Sequence, residues 1–195
     1  KLQESWERDR EQLKRFAAEL AVTNRKLEHI ALTDMLTELP NRRAGMNALS
    51  EIWSNSERAN QSMAAMLIDI DYFKKINDTY GHATGDRVLI EIAALIRSNA
   101  RKGDSFCRMG GEEFLIICHS GCIEMQYTKS HPIKIDENNI EVTISIGIAQ
   151  KEAGVENPDQ LINLADKALY AAKNAGRNKV FLAVENKLIN CSNPS

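Results

Sequence analysis

Long apolar runs are absent from this sequence of 195 residues. No uninterrupted hydrophobic stretch approaches the roughly 20 residues that a membrane-spanning helix needs, so we expect no membrane span. The sequence has four cysteines, and they lack the paired spacing of a zinc site or a disulfide framework. No secretory signal is recognisable, so we expect a cytoplasmic protein. Because the chain begins at Lys1 without a methionine, we also expect it to be a fragment, whose full-length form could have an upstream membrane tether.

An excess of basic charge is also lacking, since 25 Lys and Arg residues face 27 Asp and Glu residues. Proteins that bind nucleic acid without specificity usually carry a basic face that displaces counterions. We therefore expect neither DNA nor RNA as a partner, and any phosphate must bind at a local site. The hydrophobic share of 43% and the charged share of 27% are typical of a globular domain.

The first thirty residues contain no glycine and no proline. Apolar residues recur there at alternating spacings of four and three, namely at Leu2, Trp6, Leu13, Phe16, Leu20, Leu27 and Ile30. This heptad pattern is typical of a coiled coil, with Asp9 and Thr23 as polar seam residues that could set register and oligomer state. One amphipathic helix packed on its own domain is the alternative. We predict a dimerisation helix over 1–31, a globular domain over 32–184 and a loose tail over 185–195.

Strand-like and helix-like segments alternate through the globular part. The patterns predict strands over 62–70, 105–109, 113–118, 141–150 and 179–184, and helices over 44–53, 73–80, 84–100 and 158–176. The run Asn157-Pro158-Asp159-Gln160 supplies a cap and an N-terminal proline for the last helix, and Gly176 closes it. Asp86 falls in the first turn of the 84–100 helix. This order predicts an α/β sandwich with a largely antiparallel central sheet and flanking helices.

Carboxylates gather where predicted strands end. Asp69 and Asp71 end the first strand, and Glu112 and Glu113 occupy the tip of a Gly-Gly hairpin that could lie beside it. Side-chain alternation sends Asp69 and Asp71 to one face, so Ile70 would offer its backbone carbonyl. Such acids would repel one another unless a cation neutralises them, and oxygen ligands suit Mg²⁺ that also contacts phosphates. Acids that merely protect exposed strand ends are the alternative.

Cationic side chains for a triphosphate are also available. Lys74 follows the acidic strand, while Lys173 and Arg177 are spaced one turn apart at the end of the last predicted helix. A phosphate group could lie among the three. The alternative for Lys173 and Arg177 is favourable positive charge at a helix C-terminus, which requires no ligand.

The run Arg108-Met109-Gly110-Gly111-Glu112-Glu113-Phe114 resembles the RxGGEEF form of the motif that names the GGDEF family. Further matches occur in family order within residues 32–182, at 34–42, 69–78, 81–82, 85–86, 145–147, 168–170, 173 and 176–178. The resemblance implies a fold like the palm of nucleotidyl cyclases and polymerases. It also implies a diguanylate cyclase, which joins two GTP molecules into cyclic di-GMP and releases two pyrophosphates.

The family's metal ligands can be carried over by position. Asp69, the Ile70 carbonyl and Glu112 would bind Mg²⁺ or Mn²⁺, and Glu113 would act as a further ligand or as a base. Lys74 would assist catalysis at the phosphates.

The resemblance also implies a substrate site. Asn77 and Asp86 would contact the guanine edge, and Asp86 would favour GTP because it can accept hydrogen bonds from groups that guanine presents together. His82 would be a further substrate contact. The groups expected to hold the triphosphate are the backbone of Tyr72 and Phe73 with the side chains of Lys74, Lys173 and Arg177.

Two regulatory features follow from the same resemblance. Each protomer of the family binds one GTP, so two domains must face each other across a two-fold axis, and the N-terminal coiled coil would tether them as a homodimer. Arg101 and Asp104 match the family's RxxD motif, at which the product cyclic di-GMP inhibits the enzyme. Read alone, RxxD is a common surface pattern.

The chain departs from the family at two places, and other functions compete with the cyclase. Tyr72 stands where Phe is common, and the segment from His119 to Lys134 is too short for the long helix that the family usually carries there. An inactive GGDEF domain that serves as a receptor for GTP or cyclic di-GMP is the main alternative. A coiled-coil scaffold, and a cyclase that uses ATP or forms a hybrid dinucleotide, are the others.

Overall fold

The computed structural model describes residues 2–119, 131–135, 138–184 and 187–192. Its elements, in chain order, are α1 (Leu2–Leu32), α2 (Arg42–Ala59), β1 (Met63–Ile70), α3 (Phe73–Tyr80), α4 (His82–Asn99), β2 (Ser105–Gly110), β3 (Glu113–His119), β4 (His131–Ile135), β5 (Asn138–Val142), β6 (Ile144–Gln150), α5 (Pro158–Asn174), β7 (Val180–Val184) and β8 (Lys187–Asn190). This mixed α/β architecture confirms the predicted fold class.

Six of these strands form one sheet in the order β2-β3-β1-β6-β7-β8. Within the described residues β6 and β7 form the one parallel pair, and the other neighbours run antiparallel, as predicted. Strand β1 lies in the interior of the sheet and is buried at all eight positions. A strand covered on both faces reads as a continuous apolar run, which explains the sequence pattern of 63–70.

Helices cover both faces of the sheet. Apolar side chains of α3 and α4 pack on one face, and those of α2 and α5 pack on the other. Gly147 on β6 permits a close approach of α5, because a Cβ at this position would lie 2.1 Å from the carbonyl oxygen of Ala165 and from the amide nitrogen of Leu169. Helix α5 therefore lies directly on the sheet, and its C-terminal end reaches the end of β1.

The cap of the last helix is confirmed. The side chain of Asn157 accepts a hydrogen bond from the amide of Gln160 at 2.9 Å, and Pro158 is the first helical residue. Helix α2 is longer than the predicted 44–53. Helix α4 begins at His82, so the prediction that Asp86 lies in the first turn is wrong.

The predictions for 141–150 and for the C-terminal tail are also corrected. The predicted strand 141–150 is broken at Thr143, whose carbonyl accepts from the amide of Asp71, and β5 pairs with β4 in a separate two-stranded sheet. The tail is not wholly loose, because Lys187–Asn190 adds to β7 as an antiparallel edge strand. Of the segment from His119 to Lys134, which is short for the family's long helix, residues 131–134 belong to β4, and residues 120–130 lie outside the described residues.

Helix α1 is continuous over 31 residues. Its described apolar seam side chains are exposed, at fractions from 59% to 73%, at Trp6, Leu13, Phe16, Leu20, Leu27 and Ile30. The alternative that this face packs on its own domain is therefore wrong, while pairing with a second α1 stays a prediction. No helix in the described part of the chain has the length and apolarity to span a membrane.

Candidate active site

The acidic hairpin tip lies beside the end of β1. Asp69 and Glu113 are paired positions on neighbouring antiparallel strands, and the amide of Ile70 donates to the carbonyl of Glu112 at 3.3 Å. The two glycines before Glu112 have positive φ, at 139° and 54°, which glycine adopts without strain. The structure thus places three of the predicted acids, Asp69, Glu112 and Glu113, at the edge of the sheet where β1 ends.

Asp69 is the buried acid of this group, at 7% exposure. Burial raises the pKa of its carboxyl, the charges of Glu112 and Glu113 raise it further, and the ion pair with Lys173 lowers it in part. The Lys173 ammonium lies 2.7 Å from the Asp69 carboxylate. The site therefore carries more negative charge than Lys173 alone balances.

The donor set at this edge fits a hard divalent cation. Two carboxylates and a backbone carbonyl are oxygen ligands, and Mg²⁺ typically takes one or two carboxylates while keeping waters and substrate phosphates. In the described residues no group of three or more His, Cys, Asp or Glu side chains lies close enough to hold a metal by itself. A cation here would thus need oxygen ligands from the substrate or water as well.

Asp71 does not join this acidic group, which corrects the expectation of four converging acids. Its carboxylate accepts hydrogen bonds from Thr143 Oγ1 at 2.7 Å, from Ser145 Oγ at 2.6 Å and from the amide of Asn178 at 2.9 Å. These donors are neutral, so Asp71 is satisfied without a cation.

The three cations expected at the triphosphate lie on α3 (Lys74), on α5 (Lys173) and in the turn after α5 (Arg177). Lys173 lies in the last turn of α5, but Arg177 lies beyond the helix, which corrects their placement one turn apart on it. Gly176, Arg177 and Asn178 all have positive φ, at 108°, 62° and 46°. Tyr72 also has a positive φ of 57°, and its ring lies 4.6 Å from the Arg177 guanidinium. Such backbone outliers cluster at functional sites.

Helices α3 and α4 bring the predicted guanine contacts together. A Cβ on Gly85 would lie 1.8 Å from Asn77 Oδ1, so the Asn77 side chain rests against α4 one residue before Asp86. Asp86 and His82 are exposed on α4. Phe73 is buried at the start of α3, and the next residue, Lys74, is exposed.

Arg108 is a part of the site that the sequence did not single out. Its Nη1 lies 2.9 Å from Asp34 Oδ1, and its Nε and Nη2 donate to the carbonyl of Gly111 at 3.0 and 2.7 Å. The turn after α1 is thereby joined to the residue before Glu112. The RxGGEEF motif contains Arg108, yet its partner Asp34 is 74 residues away.

The expected inhibitory motif forms a separate turn before β2. The amide of Arg101 donates to Asp104 Oδ2 at 3.0 Å, and the amide of Asp104 donates to the carbonyl of Arg101 at 3.0 Å. The Arg101 side chain is exposed.

Comparison with known proteins identifies the family. The model of the diguanylate cyclase GGDEF domain matches residues 31–179. Diguanylate cyclase A of Treponema denticola is 36% identical over 182 residues, which are 87% of this chain and 49% of that protein. The chain spans about half or less of the length of such curated relatives.

Solved structures agree with the observed fold. The coiled coil and GGDEF domain of DgcB from Caulobacter crescentus, in complex with c-di-GMP, has a TM-score of 0.77 at 32% identity and covers 88% of this chain and 97% of that one. The active GGEEF domain of a diguanylate cyclase from Vibrio cholerae has a TM-score of 0.68 at 30% identity, covering 74% and 97%. The chain belongs to the GGDEF-domain family of diguanylate cyclases.

Proposed function

We propose that this chain is a diguanylate cyclase, which condenses two GTP molecules into cyclic di-GMP and two pyrophosphates. The observation that carries the proposal is the pairing of Asp69 with the acidic hairpin tip, with Lys173 at 2.7 Å from Asp69. Relatives with the same domain are named as diguanylate cyclases, which supports the proposal. The active domain from Vibrio cholerae is named for the same GGEEF form of the motif.

The acids at this edge would hold a divalent ion, Mg²⁺ or Mn²⁺, through Asp69, Glu112 and the Ile70 carbonyl, with Glu113 as a further ligand or base. Such an ion lowers the pKa of an attacking hydroxyl and offsets charge that develops on the phosphate. Because burial and the neighbouring acids raise the pKa of Asp69, a cation at this edge would favour its ionised form.

The surrounding residues would orient GTP. Lys74, Lys173 and Arg177 supply positive charge for the triphosphate, with the backbone at Tyr72 and Phe73 beside it. Asp86 would accept hydrogen bonds from the guanine edge, Asn77 would contact that edge through its amide group, and His82 would add a contact.

Reaction requires two such sites. The 3′-hydroxyl of one GTP attacks the α-phosphorus of the other, a new phosphodiester forms, and pyrophosphate leaves. In its role as base, Glu113 would take up the hydroxyl proton. A second, symmetric attack closes the ring, so two protomers must face each other across a two-fold axis.

Helix α1 would bring the two protomers together. Its exposed apolar seam is suited to pairing with the α1 helix of a second protomer in a parallel coiled coil. Such a tether raises the effective concentration at which the two GTP-binding half-sites meet. Arg101 and Asp104 would bind the product cyclic di-GMP and inhibit the enzyme, because a guanidinium suits phosphate or a guanine edge and a carboxylate can accept from guanine.

The test compares site variants with a matched surface variant. Glu112→Gln and Asp69→Asn are expected to lower product formation from GTP and Mg²⁺ at least a hundredfold, while Glu51→Gln, an exposed acid on α2, leaves it unchanged. Circular dichroism establishes that each variant is folded. Full activity in folded Glu112→Gln would contradict the proposal. A folded wild type that binds GTP or cyclic di-GMP without forming product would favour the receptor alternative.

A further inference from the structure

Asp71 accepts a set of hydrogen bonds that the proposed reaction does not use. The residue is 3% exposed, and its carboxylate accepts from two hydroxyls and one amide at 2.6 to 2.9 Å. Its own amide donates to the carbonyl of Thr143 at 2.9 Å. Burying a carboxylate is costly unless donors satisfy it, so these contacts fix the surrounding segments closely.

The donors come from segments that are far apart in the chain. Thr143 and Ser145 are 72 and 74 residues from Asp71, and Asn178 is 107 residues away. Ser145 is also the cross-strand partner of Asp69. Asp71 therefore joins the end of β1 to the start of β6 and to the turn that follows α5.

The joined turn has a backbone conformation that side chains other than glycine rarely adopt. Arg177 and Asn178 have φ of 62° and 46°, and Tyr72, the residue after Asp71, has φ of 57°. Such conformations persist where surrounding contacts determine them. The hydrogen bond from the Asn178 amide to Asp71 holds the peptide that directly follows Arg177.

These contacts bring two side chains together in a cation–π contact. The Arg177 guanidinium lies 4.6 Å from the centre of the Tyr72 ring, and Tyr72 is 58% exposed. A guanidinium held over an aromatic ring does not use its N–H groups in that contact, so these groups can donate to phosphate oxygens. Asp71 adjoins both halves of the pair, through the chain to Tyr72 and through a hydrogen bond to Asn178.

We propose that Asp71 is a positioning residue for the triphosphate, which acts by fixing the pair of Arg177 and Tyr72. The inference rests on the proposed function, because that function gives Arg177 the task of binding GTP. Asp71 touches no substrate in this proposal, and its effect on nucleotide binding passes through Arg177.

Asp71→Asn replaces one of the two carboxylate oxygens that accept hydrogen bonds from Thr143, Ser145 and Asn178. Asn has one acceptor oxygen where the carboxylate has two, and it lacks the negative charge, so the three donors can no longer all donate to this side chain as they do to Asp71. The probe is 3′-deoxy-GTP with Mg²⁺, which lacks the attacking hydroxyl and reports binding without turnover. We expect the variant to weaken binding about tenfold, the loss typical of one charge-assisted hydrogen bond. Thr143→Val, which removes one donor, is expected to weaken it about threefold.

A double-mutant cycle separates positioning from a general structural effect. In an Arg177→Ala background, Asp71→Asn is expected to change affinity less than about twofold, because the group that it positions is gone. Ser56→Ala serves as the control, since this buried hydroxyl donates to the carbonyl of Trp53 on α2. It is expected to lower stability without changing nucleotide affinity.

Equal losses of affinity in both backgrounds, or an unchanged affinity in folded Asp71→Asn, would overturn the inference while leaving the cyclase proposal intact. If Asp71→Asn does not fold, Thr143→Val measured in the same two backgrounds decides the matter by the same criterion. A folded wild type that fails to bind 3′-deoxy-GTP would overturn the proposed function and the inference together.

Discussion

The contact between Arg108 and Asp34 shows how single residues connect the helical part of the chain to the hairpin tip. Burial raises the pKa of the Asp34 carboxyl, but hydrogen bonds from Thr37 and the ion pair with Arg108 outweigh it and hold the pKa below its ordinary value of 3.8. The same arginine donates to the carbonyl of Gly111, directly before Glu112. Asp34 therefore contributes both to stability and to the position of the acidic tip.

Asp34→Asn is expected to lower the free energy of unfolding by about 1 to 2 kcal/mol at pH 7. Because the folded pKa of Asp34 is depressed, its contribution is present above the unfolded pKa, which is near 3.8, and is lost as pH falls through the folded value. Denaturant unfolding of both proteins at pH 7 and pH 3 measures this. The difference between them should shrink at pH 3, and a difference that grows on acidification would contradict the assignment.

Local signals made several elements predictable from the sequence. The Asn157-Pro158 start of α5 and the Gly-Gly hairpin between β2 and β3 each depend on a few adjacent residues, and both occur as predicted. The break at Thr143 depends on Asp71, which lies 72 residues earlier in the chain. Strand β8 depends on pairing with the edge of β7. Such long-range contacts leave no periodic pattern in the sequence.

In the candidate site, too, some features follow from local sequence signals and others depend on long-range contacts. Its acids could be found because two strand ends carry adjacent carboxylates, and Asp69 and Glu113 do pair across neighbouring strands. The separate role of Asp71 and the left-handed turn at Arg177 could not be read from spacing, because both depend on how α5 ends against β1.

The close packing of α3 on α4 gives a prediction at the level of elements. Gly85→Ala would place a Cβ 1.8 Å from Asn77 Oδ1, so the Asn77 side chain must move. We expect a loss of about 1 to 3 kcal/mol in stability, together with weaker binding of GTP and a smaller preference for GTP over ATP. Nucleotide titrations and denaturant unfolding measure the two effects.

Gly45→Ala is the matched control for this prediction. Its Cβ would lie 2.0 Å from Cys107 Sγ, on the face of the sheet covered by α2. It should destabilise the domain without changing nucleotide preference. If both glycine variants altered the preference for GTP equally, the placement of Asn77 would not explain guanine recognition.

The whole molecule combines a globular domain with a helix whose apolar seam has no cover in the described chain. Leu13 and Leu20 are 73% and 62% exposed on α1. Replacing both with glutamate should convert a dimer into a monomer, because a buried seam does not accept charges. Turnover per protomer should fall at least tenfold and should rise with protein concentration.

Sedimentation velocity and activity across a concentration series measure this effect. Glu11→Gln combined with Lys14→Gln, two changes at exposed positions outside the seam, should leave the dimer and its turnover unaltered. A stable dimer with full turnover in the Leu13→Glu, Leu20→Glu variant would show that α1 does not tether the two half-sites.

The central claim is that two copies of this chain join two GTP molecules at the edge formed by β1 and the acidic hairpin. Mass analysis of the products from purified wild type with GTP and Mg²⁺, combined with a pyrophosphate assay, tests it most directly. Cyclic di-GMP with two pyrophosphates for each molecule formed is the predicted result. A folded, dimeric protein that binds GTP and yields no cyclic dinucleotide would contradict it.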